Sequence, residues 1–386
     1  MDQCGCRHKG FIDEEDLSQR LYEKARKAAL DRRVHVGEPL LGALRACGVA
    51  GICKDPEQIL ARSCHVRASS RTGTAFHRAH LREETFETIA LSLAEGVGIA
   101  TTARIQGVNK KTVLHVLAKA AEHAAKVTRA LLKGLVVSEC QLDEMWSFVG
   151  KKEKHLDALE KMQAVLGDAW IWVAFDAVNK LFLATVVGKR TMGHAVALLR
   201  EVKQVTVRMP TLFSSDQLDH YANGLLQVYG ELVYPPRKPG PGRPPHPRLV
   251  PPDDLLYVHV VKHYQGYRVV KVTRKVIFGD PMKVEEVLSA SKVSRQINTS
   301  SVERGNGIIR HMDARCNRKT LRFSKCRKNH ERQLALSLAY YHLCRPHKTL
   351  TKRHGRPTTP FMAAGLADHV WTMTDVLSYP VQNPGS

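Results

Sequence analysis

Apolar positions along this chain recur first at helical spacing and then at strand spacing, and the change of period divides it. Residues 13–31 ("DEEDLSQRLYEKARKAALD") predict a charged helix. From Glu83 onward, Phe86, Ile89, Ala90 and Leu93 fall at i, i+3, i+4 and i+7, one apolar face that Gly96 and Gly98 stop. "IATTARIQGVNKKTVLHVLAKA" then predicts a short helix, a turn at Gly107, and a second helix in which Val113, Val116, Leu117 and Ala120 repeat the spacing. Ala103 is small enough for a close helix crossing, so the pattern is that of a helix-turn-helix. Its recognition helix would start near Asn109 and turn Asn109, Lys110, Lys111 and His115 toward base edges and phosphates. An ordinary helical hairpin with a solvated basic face carries the same pattern.

After a helical linker over 121–134 the period shortens. "LVVSECQLDEMWSFV" reads as a strand, and "AWIWVAFDAV" with "LFLATVVG" as a hairpin turned at Asn179–Lys180. "TMGHAVALLREVKQV" is a helix, "PTLFSSD" a short strand and "QLDHYANGLLQVYG" another helix. Nine of the eighteen prolines lie between Pro235 and Pro252, which predicts an extended basic tether. Two strand-like runs joined around Gln265–Gly266 follow, and from Ser300 helices return until Pro346. The plan is α/β: a mixed sheet flanked by helices, with a two-stranded insertion over 235–296, preceded by an all-α helix-turn-helix domain. The expected divisions are 1–80, 81–125, a linker at 126–134, a catalytic domain at 135–350 and a tail at 351–386.

Composition narrows the partners. Lys and Arg number 59 against 37 Asp and Glu, a net charge of +22, which calls for a polyanion without choosing among DNA, RNA and an anionic membrane. No apolar run of about 18 residues predicts a membrane span, and the polar start "MDQCGCRHKGFIDEED" has no secretory core. Nine scattered cysteines fit a reducing cytosol better than a disulfide framework. A zinc ribbon needs two C-x-x-C pairs, and none is present around Cys4, Cys6, Cys47, Cys53 and Cys64. An irregular Zn2+ site using Cys53 or His65 is the remaining option, and buried thiols are the simpler reading.

Three acids stand where elements begin or end: Asp143 in "QLDEMW", Asp216 after "TLFSS", and Glu303 in "NTSSVERGN". Each has a plain alternative. Asp143 and its neighbour Glu144 could mark a strand end, Asp216 could cap a helix, and Ser300 with Glu303 fits the S-x-x-E capping box. Together they could converge at one sheet edge, where two divalent ions about 3.5–4 Å apart would compensate them and act on a phosphodiester. Mg2+, or Mn2+ in its place, suits such an oxygen-rich site. Arg310 lies seven residues after Glu303 on the same helical face and could approach the phosphate, as could Arg304 or Asn306. Gly305 and Gly307 each weaken that helix by about 1 kcal/mol relative to Ala, and either a DNA backbone or local packing would explain them.

"LDEMWSFVGKK", "LFSSDQLDHY" and "INTSSVERGNGIIRHMDARCNRKTLRFSK" resemble the catalytic motifs of insertion-sequence transposases of the IS-one type. The helix-turn-helix "AEGVGIATTARIQGVNKKTVLHVL", the preceding "SSRTGTAFHR" and the tail "YYHLCRPHKTL" extend the resemblance over roughly residues 60–375. It implies a ribonuclease H-like fold and an Asp–Asp–Glu triad at Asp143, Asp216 and Glu303, with Asp143 rather than Glu144 as the ligand. The family's zinc ribbon is reduced here to at most Cys47 and Cys64, and residues 1–45 carry none of its motifs. The expected protein is a cytoplasmic, nucleoid-associated DNA transposase. It would bind terminal inverted repeats, free a 3′-hydroxyl and join it to target DNA, acting as at least a dimer on double-stranded DNA. A DNA-binding regulator that has lost catalysis, or a metal-dependent nuclease, are the alternatives.

Overall fold

A computed structural model of the chain describes residues 49–52, 58–61, 67–69, 71–163, 165–236 and 245–381. Two compact units are present: Met1–His80 with Leu377–Ser386, and Leu81–Val376. In the first, β1 (Val49–Ile52), β2 (Gln58–Ala61) and β3 (Arg67–Ser69) form an antiparallel sheet in that order. The end of the chain returns to this unit, where the Val381 amide donates to the Gly73 carbonyl at 3.0 Å. The helix expected at 13–31, the cysteines from Cys4 to Cys64, and His65 lie outside the described residues.

The second unit opens with three helices. α1 (Glu83–Ala94) buries Phe86, Ile89, Ala90 and Leu93, and carries Glu83 and Glu84 in its first turn, where the helix dipole favours acids. α2 (Ile99–Ile105) ends before Gly107, whose φ of +62° is left-handed. α3 (Lys110–Leu131) is capped by Asn109, whose side chain accepts from the Lys111 amide at 2.9 Å. The linker expected to be helical is a continuation of the same helix. α3 continues through it to Leu131, because Ala121, Ala124 and Val127 prolong the buried stripe begun by Val113 and Val116. The three helices share one compact unit with the sheet: α3 and α1 pack on α9 (Arg327–Leu343), and Gln333 Nε2 donates to the Leu93 carbonyl at 2.7 Å.

The sheet has six strands in the order β11-β10-β7-β4-β5-β6. β4 (Glu139–Val149), β5 (Gly167–Asp176) and β6 (Leu181–Gly188) form an antiparallel meander. β7 (Leu212–Ser215) returns parallel to β4, and β10 (Leu256–Gln265) lies parallel to β7. The two strands expected inside 235–296 therefore belong to the main sheet, with β11 (Arg268–Phe278) as its antiparallel edge. The register decides this: Leu256 to His259 pair with Leu212 to Ser215. The short β8 (Glu231–Val233) and β9 (Arg248–Val250) pair with each other outside it.

Helices cover both faces, which is why β5 reads as a continuous apolar run rather than an alternation. Ile171, Val173 and Phe175 pack with Val302 and Ile309 of α8 (Ser300–Met312) and Leu334 and Leu338 of α9. On the opposite face Trp172 meets Tyr221 edge-on, at 5.6 Å between ring centres. That face is closed by α5 (Met192–Val205) and α6 (Asp219–Tyr229), following the short α4 (Ala158–Gln163). α7 (Pro281–Ser289) buries Val284 and Leu288 against Leu256 and Val258. Among the described residues no helix is long and apolar enough to cross a membrane.

Candidate active site

Strand register brings the first two acids together. β4 and β7 run parallel with Gln141 opposite Ser214, so two residues further on Asp143 and Asp216 stand at the same level. Oxygen atoms of Asp143, Glu144 and Asp216 lie within 4.8 Å of one another. Asp216 follows the last residue of β7, and its Oδ1 accepts from the Leu218 amide at 3.2 Å. It is not the N-cap of α6, a position held by Leu218.

The neighbouring acids on β4 differ in how they are compensated. Glu144 has a side chain only 3% exposed, and Arg190 binds it through Nε at 3.1 Å and Nη2 at 2.5 Å. Tyr221 adds its hydroxyl at 3.0 Å, and Arg190 also stacks over Trp170. Burial raises the Glu144 carboxyl above its ordinary value, and these partners oppose the rise. Among the described residues Asp143 accepts only from the Glu144 amide, at 2.9 Å, and from Asn306 Nδ2, at 2.7 Å. No ion pair to it forms among the described residues. Burial first, then the charges of Glu144, Asp216 and Glu303, push its carboxyl up to about 7.

The third acid arrives on α8, which Gln141 of β4 holds in place. Its side chain accepts from the Val302 amide at 2.9 Å, near the helix start where N–H groups lack partners, and donates to the Asn298 carbonyl at 2.9 Å. Glu303 makes no capping box with Ser300: Thr299 is the N-cap, and its hydroxyl donates to Glu303 Oε1 at 2.8 Å. Lys262 of β10 forms an ion pair with the same carboxylate. Glu303 thus stands close enough to act on Asp143 by charge, outside the tight cluster of three acids.

Asn306, one turn after Glu303, was expected to face DNA. It is 3% exposed and hydrogen-bonded to Asp143, so it positions that carboxylate instead. Its Oδ1 is buried with no hydrogen-bond partner, an orphaned hard oxygen beside the acids. Arg310 lies a further turn along, half-buried and within the field of Asp143, with burial lowering its own pKa. Arg304 is exposed, and its charge acts on Lys180. Gly305 is explained by packing, since a Cβ there would lie 3.2 Å from Phe182 and 3.3 Å from Phe175. Gly307 faces open space. On α3, Asn109, Lys110, Lys111 and His115 are all exposed, although the Asn109 carbonyl oxygen is already used as the cap.

Spacing gave no hint of Arg190, Tyr221 or Lys262, because each acts on an acid from a distant segment, nor of Gln141, whose partners are the backbone of Asn298 and Val302. The same holds for Tyr257, whose hydroxyl joins Ser215 Oγ at 2.7 Å to His259 Nε2 at 2.8 Å beside Asp216. A second group, Asp313, Cys316 and His330, is fully buried with its polar atoms within 4.8 Å. Both ring nitrogens of His330 are engaged, by Ser324 at 2.9 Å and Ser147 at 3.1 Å, and Asp313 accepts from the Arg315 amide at 2.9 Å. These contacts satisfy the group internally. The oxygen-only donors around Asp143 suit a hard divalent ion. Searches against protein-family models and curated proteins find no match to this chain.

Proposed function

We propose that the chain is a Mg2+-dependent DNA transposase with a ribonuclease H-like catalytic domain. It would cleave the phosphodiester at the ends of its own element and join the freed 3′-hydroxyl to target DNA. One observation carries the reading: Asp143, within β4, and Asp216, just past the end of the parallel β7, meet at one level, and Asp143 lacks the cation that its neighbour Glu144 has in Arg190. An antiparallel meander followed by parallel strands, with helices on both faces, is compatible with the fold.

Asp143 and Asp216 of the tight cluster, with Glu303 from beside it, are the residues that would hold the ions, with Asn306 Oδ1 as a further oxygen. When bound, Mg2+ or Mn2+ supplies a lowered pKa to the attacking water or hydroxyl and withdraws charge from the scissile phosphate. The chain's own residues do the positioning. Gln141 and Asn306 fix α8 against β4, Lys262 holds Glu303, and Arg310 offers positive charge toward the scissile phosphate. Lys110, Lys111 and His115 would contact the inverted repeats from α3, with Arg304 available to phosphate from α8.

The test uses purified protein with labelled duplexes tiled across the DNA flanking its gene, with MgCl2 or EDTA. The reading expects Mg2+-dependent cleavage and joining, both abolished by Glu303→Gln. Binding without cleavage would favour a regulator, and cleavage without joining a nuclease. Intact cleavage and joining by Glu303→Gln would refute the triad.

A further inference from the structure

We infer that the β10–β11 ribbon is a second DNA-binding element, which grips duplex DNA beside the acid cluster. The inference rests on the reading of the chain as a DNA-processing enzyme. β10 pairs with β7 only from Leu256 to His259, whereas its pairing with β11 continues to Gln265 opposite Arg268. The outer half of the ribbon therefore has no neighbouring strand. Residues 263–272 are exposed on both strands, and Tyr267 at the tip is fully exposed. A two-stranded ribbon wet on both faces gains little from burial, so its side chains are not explained by a core.

Those side chains share one sign. Lys262, Arg268, Lys271, Arg274 and Lys275 lie between Leu256 and Phe278, and no Asp or Glu does. Lys262 is held by Glu303, and Arg274 donates to the Ile297 carbonyl at 2.8 Å and to Gln296 Oε1 at 3.1 Å. Arg268, Lys271 and Lys275 have no carboxylate partner among the described residues. Their cross-strand neighbours are Gln265, His263 and His259, where a ribbon built only for stability would place acids.

Lysines on an exposed edge also guard against strand-to-strand aggregation. That role would not put Tyr264, Tyr267, Val269 and Val270 beside them in the open, which invites the very contact being guarded against. A one-signed surface with aromatic and branched residues interleaved fits a polyanion with apolar edges. A two-stranded ribbon matches the width of the DNA major groove, where thymine methyl groups are exposed. The Lys262–Glu303 pair ties the base of the ribbon to the acid-bearing helix, so DNA on the ribbon lies next to the phosphate to be cut.

The experiment compares full-length protein with the triple variant R268A/K271A/K275A and with K110A/K111A on α3. Fluorescence anisotropy on a labelled 30-bp duplex of mixed sequence is followed across NaCl concentrations, with sedimentation velocity of the same samples. The expected result for the ribbon variant is an affinity loss of about tenfold or more. Its slope of log K against log salt should fall by roughly 2 to 3, since each phosphate contact contributes about 0.9. An unchanged affinity and slope, with K110A/K111A weakened, would overturn the ribbon proposal alone. So would a change of oligomeric state with an unchanged slope, which would make β11 a self-association edge. If the unmodified protein binds no duplex, the functional reading itself fails and the inference with it. All three substituted side chains are exposed, and an unaltered thermal melt confirms that the variants fold.

Discussion

Asp143→Asn should stabilise the metal-free protein at alkaline pH while removing its proposed activity. The structure pushes the Asp143 carboxyl from 3.8 to about 7, with burial the leading cause and the Glu144, Asp216 and Glu303 charges adding to it. At about 1.36 kcal/mol per pKa unit, the ionised carboxylate costs the native state about 4 kcal/mol above pH 7. The sign follows from proton binding. Between pH 3.8 and about 7 the native state holds more protons than the unfolded chain, so stability falls as pH rises through that window. Asparagine removes the charge but can accept only one of the two hydrogen bonds that Asp143 takes from Glu144 and Asn306, a loss of about 1 kcal/mol. The net gain is about 3 kcal/mol at pH 8.5 and shrinks toward zero near pH 5. Urea unfolding in EDTA measures it, with Trp146, Trp170 and Trp172 on β4 and β5 as reporters. Adding MgCl2 at ten times its Kd should then stabilise the native-sequence protein by about 1.4 kcal/mol and leave Asp143→Asn unmoved. An Asp143→Asn protein less stable than the parent at pH 8.5 would refute the view that an uncompensated charge dominates this site.

Further outcomes follow from the surroundings of the site. Arg190→Ala removes both N–H donors from Glu144 Oε1 and should cost about 2 kcal/mol in urea unfolding at pH 8, with the deficit shrinking in acid as Glu144 protonates. Gly279→Ala should cost 2 kcal/mol or more, since φ is +88° and a Cβ would lie 2.9 Å from the Leu255 carbonyl oxygen and 2.4 Å from Leu256 Cδ2. Gly307→Ala should raise the unfolding free energy by about 1 kcal/mol, whereas Gly305→Ala should not, because it presses on Phe175 and Phe182. His342 is fully buried, accepts from the Phe182 amide at 3.2 Å and has its pKa lowered to about 3. The unfolded chain takes up that proton first, so stability should drop as pH falls from 6.5 toward 3, and His342→Gln should flatten this acid limb in pH-dependent melts.

Local sequence was a good guide wherever a segment's own neighbours decide its state. The apolar stripe of α1, the break at Gly107, the β5–β6 hairpin and the strand carrying Asp143 were all legible from period and turn chemistry. That the helical linker and the second helix are one element was less legible, because their unity rests on a buried stripe that runs on to Val127. Nor was the standing of 256–278: strand character is local, but membership of the main sheet depends on pairing with β7, a segment distant in sequence.

The site divides along the same line. The sequence by itself determined which carboxylates were available, placed Asp143 on a strand, Asp216 after one and Glu303 on a helix, and offered every capping alternative to them. Only the tertiary structure decided which of those alternatives held. Parallel register set Asp216 beside Asp143, and Gln141 fixed the helix that carries Glu303. Two adjacent acids also became unlike: Glu144 received the cation of Arg190 and the hydroxyl of Tyr221, while Asp143 received only the Glu144 and Asn306 amides among the described residues. A carboxylate's chemistry depends on the charges and donors within a few ångströms, and those come from segments that only folding brings together.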